Sequence, residues 1–172
     1  MDRRGYLRTL GGLEGIGTLA GCSSGEASGT EPSESDPTVE MVTATEGYYF
    51  DPVGLFVEPE TTITFRNDSG SHSVTAYVAG LKGAETTRIP KGGPKFDTPV
   101  LRQEGATESV TFDVEGTYDY FCLPHREFEM VGRIVVGSPG GPAEGTMPPD
   151  GPVPESDRIL DSETVGYGEF VN

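Results

Sequence analysis

The run 120-YFCLPHREFEM-130 places a thiol, an imidazole and a thioether, those of Cys122, His125 and Met130, within one short stretch. Four chemistries are open to Cys122. A disulfide would need Cys22, the one other cysteine, which lies across a Ser-, Gly- and Glu-rich segment. A nucleophile would use His125 as its base, but Tyr118, Tyr120, Phe121 and Phe128 crowd the position. A buried structural thiol is the default for a lone cysteine. The fourth reading is a metal ligand. The C-x2-H-x4-M spacing falls at the end of one β-prone run and the start of another, so three side chains can converge there. His72 is the only other histidine, and it follows the turn 67-NDSG-70. Two imidazoles and a thiolate in a plane, with a weak axial Met, suit copper. Zinc accepts Cys and His but takes Met poorly, and it stands as the competing metal.

The elements that must position these ligands are short and β-prone. They are 39-VEMVTA-44, 61-TTITFR-66, 72-HSVTAY-77, 108-ESVTFD-113, 117-TYDYF-121 and 130-MVGRIVV-136, with turn signals such as 113-DVEG-116 between them. Ile63 and Phe65, Val74 and Ala76, and Val110 and Phe112 each alternate onto one face. The pattern predicts an all-β, Greek-key antiparallel β-sandwich. Residues 80–105 form a long Gly- and Pro-containing connection, with a short helical turn expected near 84–87. Residues 138–172 open as a Pro/Gly linker. Their last stretch, 158–171, has enough apolar residues to dock weakly, but the segment is read as a disordered acidic tail. The predicted divisions are therefore 1–21, 22–38, a β domain over 39–137, and a tail over 138–172.

With 12 Lys and Arg against 28 Asp and Glu, the net charge is −16, so no basic surface exists to neutralise phosphates and nucleic acid is excluded as a partner. Arginines outnumber lysines, which are confined to Lys82, Lys91 and Lys95. Such acidic, Lys-poor chains suit high salt, where carboxylates keep a surface hydrated while ions screen their repulsion.

The N-terminus reads as an address. Arg3 and Arg4, then a short Gly-rich apolar stretch, then 19-LAGC-22 occur in the order of a twin-arginine lipoprotein signal. On this reading 1–21 is removed and Cys22 is lipidated. Residues 22–38 become a flexible tether, and the domain sits on the outer face of the cell membrane after export. The apolar stretch is too short to span a bilayer.

Residues 47–136 resemble the cupredoxins, blue-copper proteins of the plastocyanin, amicyanin and halocyanin kind. The resemblance is carried by 72-HSV-74 and 116-GTYDYFCLPHREFEMVGRIVV-136. The acidic composition and the lipoprotein start most resemble haloarchaeal halocyanins. The resemblance implies one copper ion held by His72, Cys122, His125 and Met130 and cycling between Cu(II) and Cu(I). Ser73 stands where plastocyanin-like members carry an Asn that pins two ligand loops together. Glu129 stands where Gly usually precedes the Met. Pro124 has no N–H and cannot donate to the Cys122 sulfur. Electrons are expected to enter through a patch of Leu123, Pro124, His125 and Phe128.

The expected function is one-electron carriage, with respiratory-chain redox proteins as partners, no small-molecule substrate and a monomeric state. Catalysis is not expected. Oxidases of this lineage use His-Cys-His, whereas Phe121 and Leu123 flank Cys122, and no histidine remains for a second metal. A copper-delivery lipoprotein with looser ligands is the alternative.

Overall fold

The structure is a computed structural model, and it describes residues 36–172. The expected signal, Cys22 and most of the expected tether therefore lie outside the described residues.

Among the described residues, nine strands form two sheets. The first contains β1 (Thr38–Ala44), β2 (Gly47–Asp51), β4 (Thr61–Asn67) and β6 (Thr107–Phe112), in the order β2-β1-β4-β6. The second contains β3 (Gly54–Val57), β5 (Thr75–Ala76), β7 (Gly116–Phe121), β8 (Val131–Val136) and β9 (Thr164–Val165), in the order β5-β7-β8-β3-β9. The sandwich is the expected one, but its sheets are mixed. β1 runs parallel to β4, with Val39 opposite Phe65, and β3 runs parallel to β8, with Leu55 opposite Ile134. Alternation along a strand reports its faces and not its neighbour's direction, so pattern alone does not distinguish the two.

Val39 and Met41 from β1, Ile63 and Phe65 from β4, and Phe112 from β6 face Tyr118, Tyr120, Ile134 and Val136 of the second sheet across one core. Three strands escape the sequence pattern, among them β9, a two-residue pairing in the C-terminal segment. β2 (GYYFD) is short and aromatic, and β3 (GLFV) lies between β8 and β9, mostly buried, so it does not alternate. The run from His72 pairs as a strand only at Thr75–Ala76, against Phe121 and Tyr120 of β7. His72 itself is tied to the returning end of the long connection. Its N–H donates to Leu101 O at 3.0 Å, and Leu101 N–H donates to His72 O at 2.7 Å. The long connection turns at 81–84, where Ala84 N–H donates to Leu81 O at 2.9 Å, and the helical turn expected near 84–87 does not form. The connection is anchored by buried Ala84, Arg88, Ile89 and Phe96.

The expectation of a disordered C-terminal tail is overturned. Residues 138–172 run over the outer face of the second sheet. They form α1 (Ser156–Ser162), pair β9 with β3, and end in α2 (Tyr167–Phe170). Ile159 and Val165 pack on Val53 and Val135, and Tyr167 stacks on Tyr49 with ring centroids 3.9 Å apart.

The segment also closes a buried charge cluster. Asp119 of β7, fully buried, accepts from Arg88 Nε and Arg133 Nε, each at 2.8 Å. Both guanidiniums donate onward to the Ala143 carbonyl, and Arg133 reaches the Pro154 carbonyl as well. Glu144 lies at the edge of the cluster and accepts from Ser156 and Thr117. Burial works against the Glu144 charge, but those two hydroxyls and the guanidiniums hold its carboxyl below the usual range. Burial pushes the Asp119 carboxyl up, while hydrogen bonds and charge from Arg133 and Arg88 oppose that push. The tail lacks apolar periodicity because much of what docks it is polar.

Candidate metal centre

β5 and β7 bring the His72 segment beside the end of the Cys122 strand, and β8 returns from the far side of the loop. Nδ1 of His72 lies 3.6 Å from Cys122 Sγ, Nδ1 of His125 lies 3.5 Å from it, and the two nitrogens are 3.1 Å apart. His72 and Cys122 are fully buried and His125 half-buried. Donors held about 2.0–2.3 Å from a single ion stand roughly 3.5 Å from one another, so these separations fit a metal ion without rearrangement. Met130 is fully buried in the same core cluster as Cys122, and its carbonyl accepts from Cys122 N–H at 3.0 Å.

The ligand loop is built from backbone bonds. His125 N–H donates to Cys122 O and Phe128 N–H to His125 O, closing a single 3-10 turn at Arg126–Phe128. The turn ends on Glu129, whose backbone is left-handed at φ 60° and ψ 24°. A glycine adopts that conformation without the Cβ clash an L side chain meets. Glu129→Gly is therefore expected to stabilise the metal-free protein by about 1 kcal/mol, read as a raised midpoint in urea unfolding. An unchanged or lowered midpoint would show that the lost contacts of the Glu129 side chain outweigh the relieved strain.

Ser73 makes the cross-loop bond, with its Oγ accepting from Leu123 N–H at 3.0 Å. Pro124, Leu123 and Phe128 are exposed around the accessible edge of His125, Phe128 by 60%. Two contacts were not legible in the sequence. Tyr48 of β2 stacks flat on His125, with centroids 3.7 Å apart and an interplanar angle of 7°. Thr43 of β1 places its Oγ1 3.0 Å from His72 Nε2. If the hydroxyl accepts, Nε2 carries the ring proton and Nδ1 keeps its lone pair for a metal. Both residues come from the first sheet, distant in sequence from the ligands they touch, and no local spacing signals them.

Burial, helped by the charge of His125, lowers His72 to about 4, and burial also lowers His125. Burial pushes the Cys122 thiol up, against hydrogen bonds from Ser73 and His125. The metal-free centre at neutral pH is thus a thiol between two neutral imidazoles, and a cation must displace the thiol proton to bind.

The histidine shift has a pH consequence. An unfolded His72 takes up its proton near the ordinary imidazole value, whereas the folded one resists until about 4. Below about 6.5 the unfolded state binds more protons, so the contribution of His72 is complete above that pH and is lost as pH falls toward 4. The shift amounts to about 3 kcal/mol. Urea unfolding of metal-free protein at neutral pH and at pH near 4 should show this loss, and His72→Gln should lack that part of it. Equal acid sensitivity in both proteins would remove the burial argument.

A family signature described as copper binding proteins, plastocyanin/azurin family, matches residues 37–137. The chain belongs to this family of blue-copper cupredoxins, which are electron-transfer proteins. It is 30% identical over 108 residues to halocyanin from Natronomonas pharaonis, covering 62% of this chain and 59% of that protein. It is 35% identical over 92 residues to the chloroplast plastocyanin of Pisum sativum, covering 52% of each. The chain thus spans somewhat more than half the length of these relatives. The crystal structure of pseudoazurin from Methylobacterium extorquens AM1 has the same fold. It superposes with a TM-score of 0.54 at 24% identity, covering 74% of this chain and 96% of pseudoazurin. Copper is accordingly the metal for which the His72, Cys122 and His125 group is built.

Proposed function

We propose that this protein carries single electrons through a copper ion that His72, Cys122, His125 and Met130 would hold as a type 1 centre. Bound copper would supply the Cu(II)/Cu(I) couple. The observation that carries the reading is the asymmetry of the ligand group. His72 and Cys122 are sealed in the core, while His125 alone reaches the surface among Leu123, Pro124 and Phe128. Buried ligands held by strands move little, which suits a site that must bind two oxidation states. An apolar rim around one ring edge suits brief contact with a partner. Tyr48 holds the His125 ring flat from one side. Thr43 fixes His72, and Ser73 ties the two ligand segments together. Phe121 and Leu123 offer no route from Cys122 to a second metal, so the reading is a carrier and not an oxidase.

Cu(II) added to the metal-free protein should give an intense thiolate-to-copper band and an EPR spectrum with narrow hyperfine splitting. A weak tetragonal spectrum, with rapid loss of copper to a chelator, would instead indicate copper delivery and overturn the carrier reading. We further propose export by the twin-arginine route and attachment to the outer face of the membrane through a lipid on Cys22, with respiratory-chain redox proteins as partners. Arg3, Arg4 and 19-LAGC-22 support this placement. The mass of the protein recovered from its own membranes tests it, because an unmodified Cys22 would exclude the anchor.

A further inference from the structure

We propose that Asp150, in the C-terminal segment, is a positioning residue for the copper loop 122–130. The proposal rests on the reading of that loop as a copper site. Asp150 Oδ2 accepts two hydrogen bonds, from Tyr77 Oη at 2.6 Å and from Arg126 Nε at 2.7 Å. Arg126 directly follows His125. Its Nη1 also donates to Gly83 O at 2.9 Å, and its guanidinium lies 4.9 Å from the centre of the Phe121 ring. Phe121 directly precedes Cys122 and packs on Tyr77, with ring centroids 4.7 Å apart. One carboxylate thereby joins the neighbours of both ligands. The Arg126 and Asp150 side chains are only 22% and 19% exposed, so water screens the pair weakly.

The next residue makes a third attachment. A Cβ added to Gly151 would come within 2.9 Å of the Glu129 Cβ, so the segment passes directly against the residue before Met130. The loop needs such support. Leu123, Pro124, Glu127, Phe128 and Glu129 are exposed, the turn has three residues, and its last position is left-handed. Residues 150–151 therefore touch Arg126 and Glu129, the neighbours of His125 and Met130, and reach Phe121, the neighbour of Cys122, through Tyr77 and Arg126. The C-terminal segment becomes part of the frame that fixes the ligand loop.

The test uses the full-length copper-loaded protein and reads two quantities, the rate of copper release to a chelator and the EPR hyperfine splitting. Asp150→Ala and Arg126→Ala should each release copper about tenfold faster and should shift the splitting. The double variant should fall short of the sum of the two single effects, because each single change already removes the contact they share. Asp150→Asn keeps an acceptor for both donors and should recover most of the wild-type behaviour. Ile159→Ala loosens the same segment away from the loop and should leave the spectrum unchanged. Wild-type release and splitting in Asp150→Ala would overturn the proposal, as would additive effects or the same spectral shift in Ile159→Ala. If wild-type protein gives no intense copper band, the carrier reading itself fails. Amide exchange of residues 122–130 in metal-free protein then decides the clamp alone: faster exchange in Asp150→Ala supports it, and unchanged exchange refutes it.

Discussion

Asp119→Ala is expected to lower the unfolding free energy by about 3–5 kcal/mol. Asp119 is the shared acceptor of Arg88 and Arg133, and all three side chains are almost fully removed from water. Deleting the carboxylate leaves two guanidiniums in the interior, with backbone carbonyls and the more distant Glu144 to face. A buried pair adds little over an apolar replacement, but losing one partner strands the other charge, and the loss here strands two. The damage should be directional. Arg88 and Arg133 hold the segment after β8 through the carbonyls of Ala143, Thr146 and Pro154, so that segment should loosen first. Urea unfolding gives the magnitude, and amide exchange over 143–165 gives the location. A loss below 1 kcal/mol, or uniform exchange, would mean that water enters the cluster and the charges are solvated where they lie.

The second large effect is expected at Gly70→Ala, which should weaken copper binding by about tenfold or more while also destabilising the metal-free fold. Gly70 has φ +80°, a conformation L side chains rarely adopt. A Cβ there would lie 2.2 Å from Thr43 Oγ1 and 3.4 Å from His72 Nε2. Thr43 cannot retreat easily, because its strand pairs with β2 through Tyr48. The methyl group therefore breaks the Thr43–His72 contact and presses on the imidazole. Thr43→Val separates the two causes. It removes the hydroxyl and leaves the backbone unstrained, so it should weaken copper binding with little change in stability, and Thr43→Ser should restore binding. Competition against a chelator of known affinity measures the first effect, and urea unfolding the second. Wild-type affinity in both Gly70→Ala and Thr43→Val would show that the Nδ1 of His72 is oriented by its own backbone ties alone.

These two positions show where the sequence could be read and where it could not. The fold class, most strands of both sheets and the convergence of His72, Cys122 and His125 follow from local signals. Alternation marked Ile63 and Phe65 as core, Gly and Asp marked the turns, and the short Cys-to-His spacing after a strand forced two ligands together. Mixed strand direction was not readable, because parallel and antiparallel pairing leave the same alternation. β3 was hidden for the related reason that a mostly buried strand does not alternate. Glu129 could be noticed in the sequence, but that it occupies a left-handed position belongs to the turn geometry.

What the sequence determined by itself is the chemistry. Donor types, their spacing and their scarcity in a chain with two histidines and two cysteines restrict the metal, and the strand pattern restricts the frame. What tertiary structure alone decided is how that chemistry is held. Thr43 meets His72, Tyr48 covers His125, and Asp150 meets Arg126 across separations of 29, 77 and 24 residues. The acidic, Pro- and Gly-rich C-terminal segment became structure because two buried arginines needed its carbonyls. Hydrogen bonds between distant residues leave no periodicity in a chain, so composition assigned to solvent a segment that the folded protein uses as a wall.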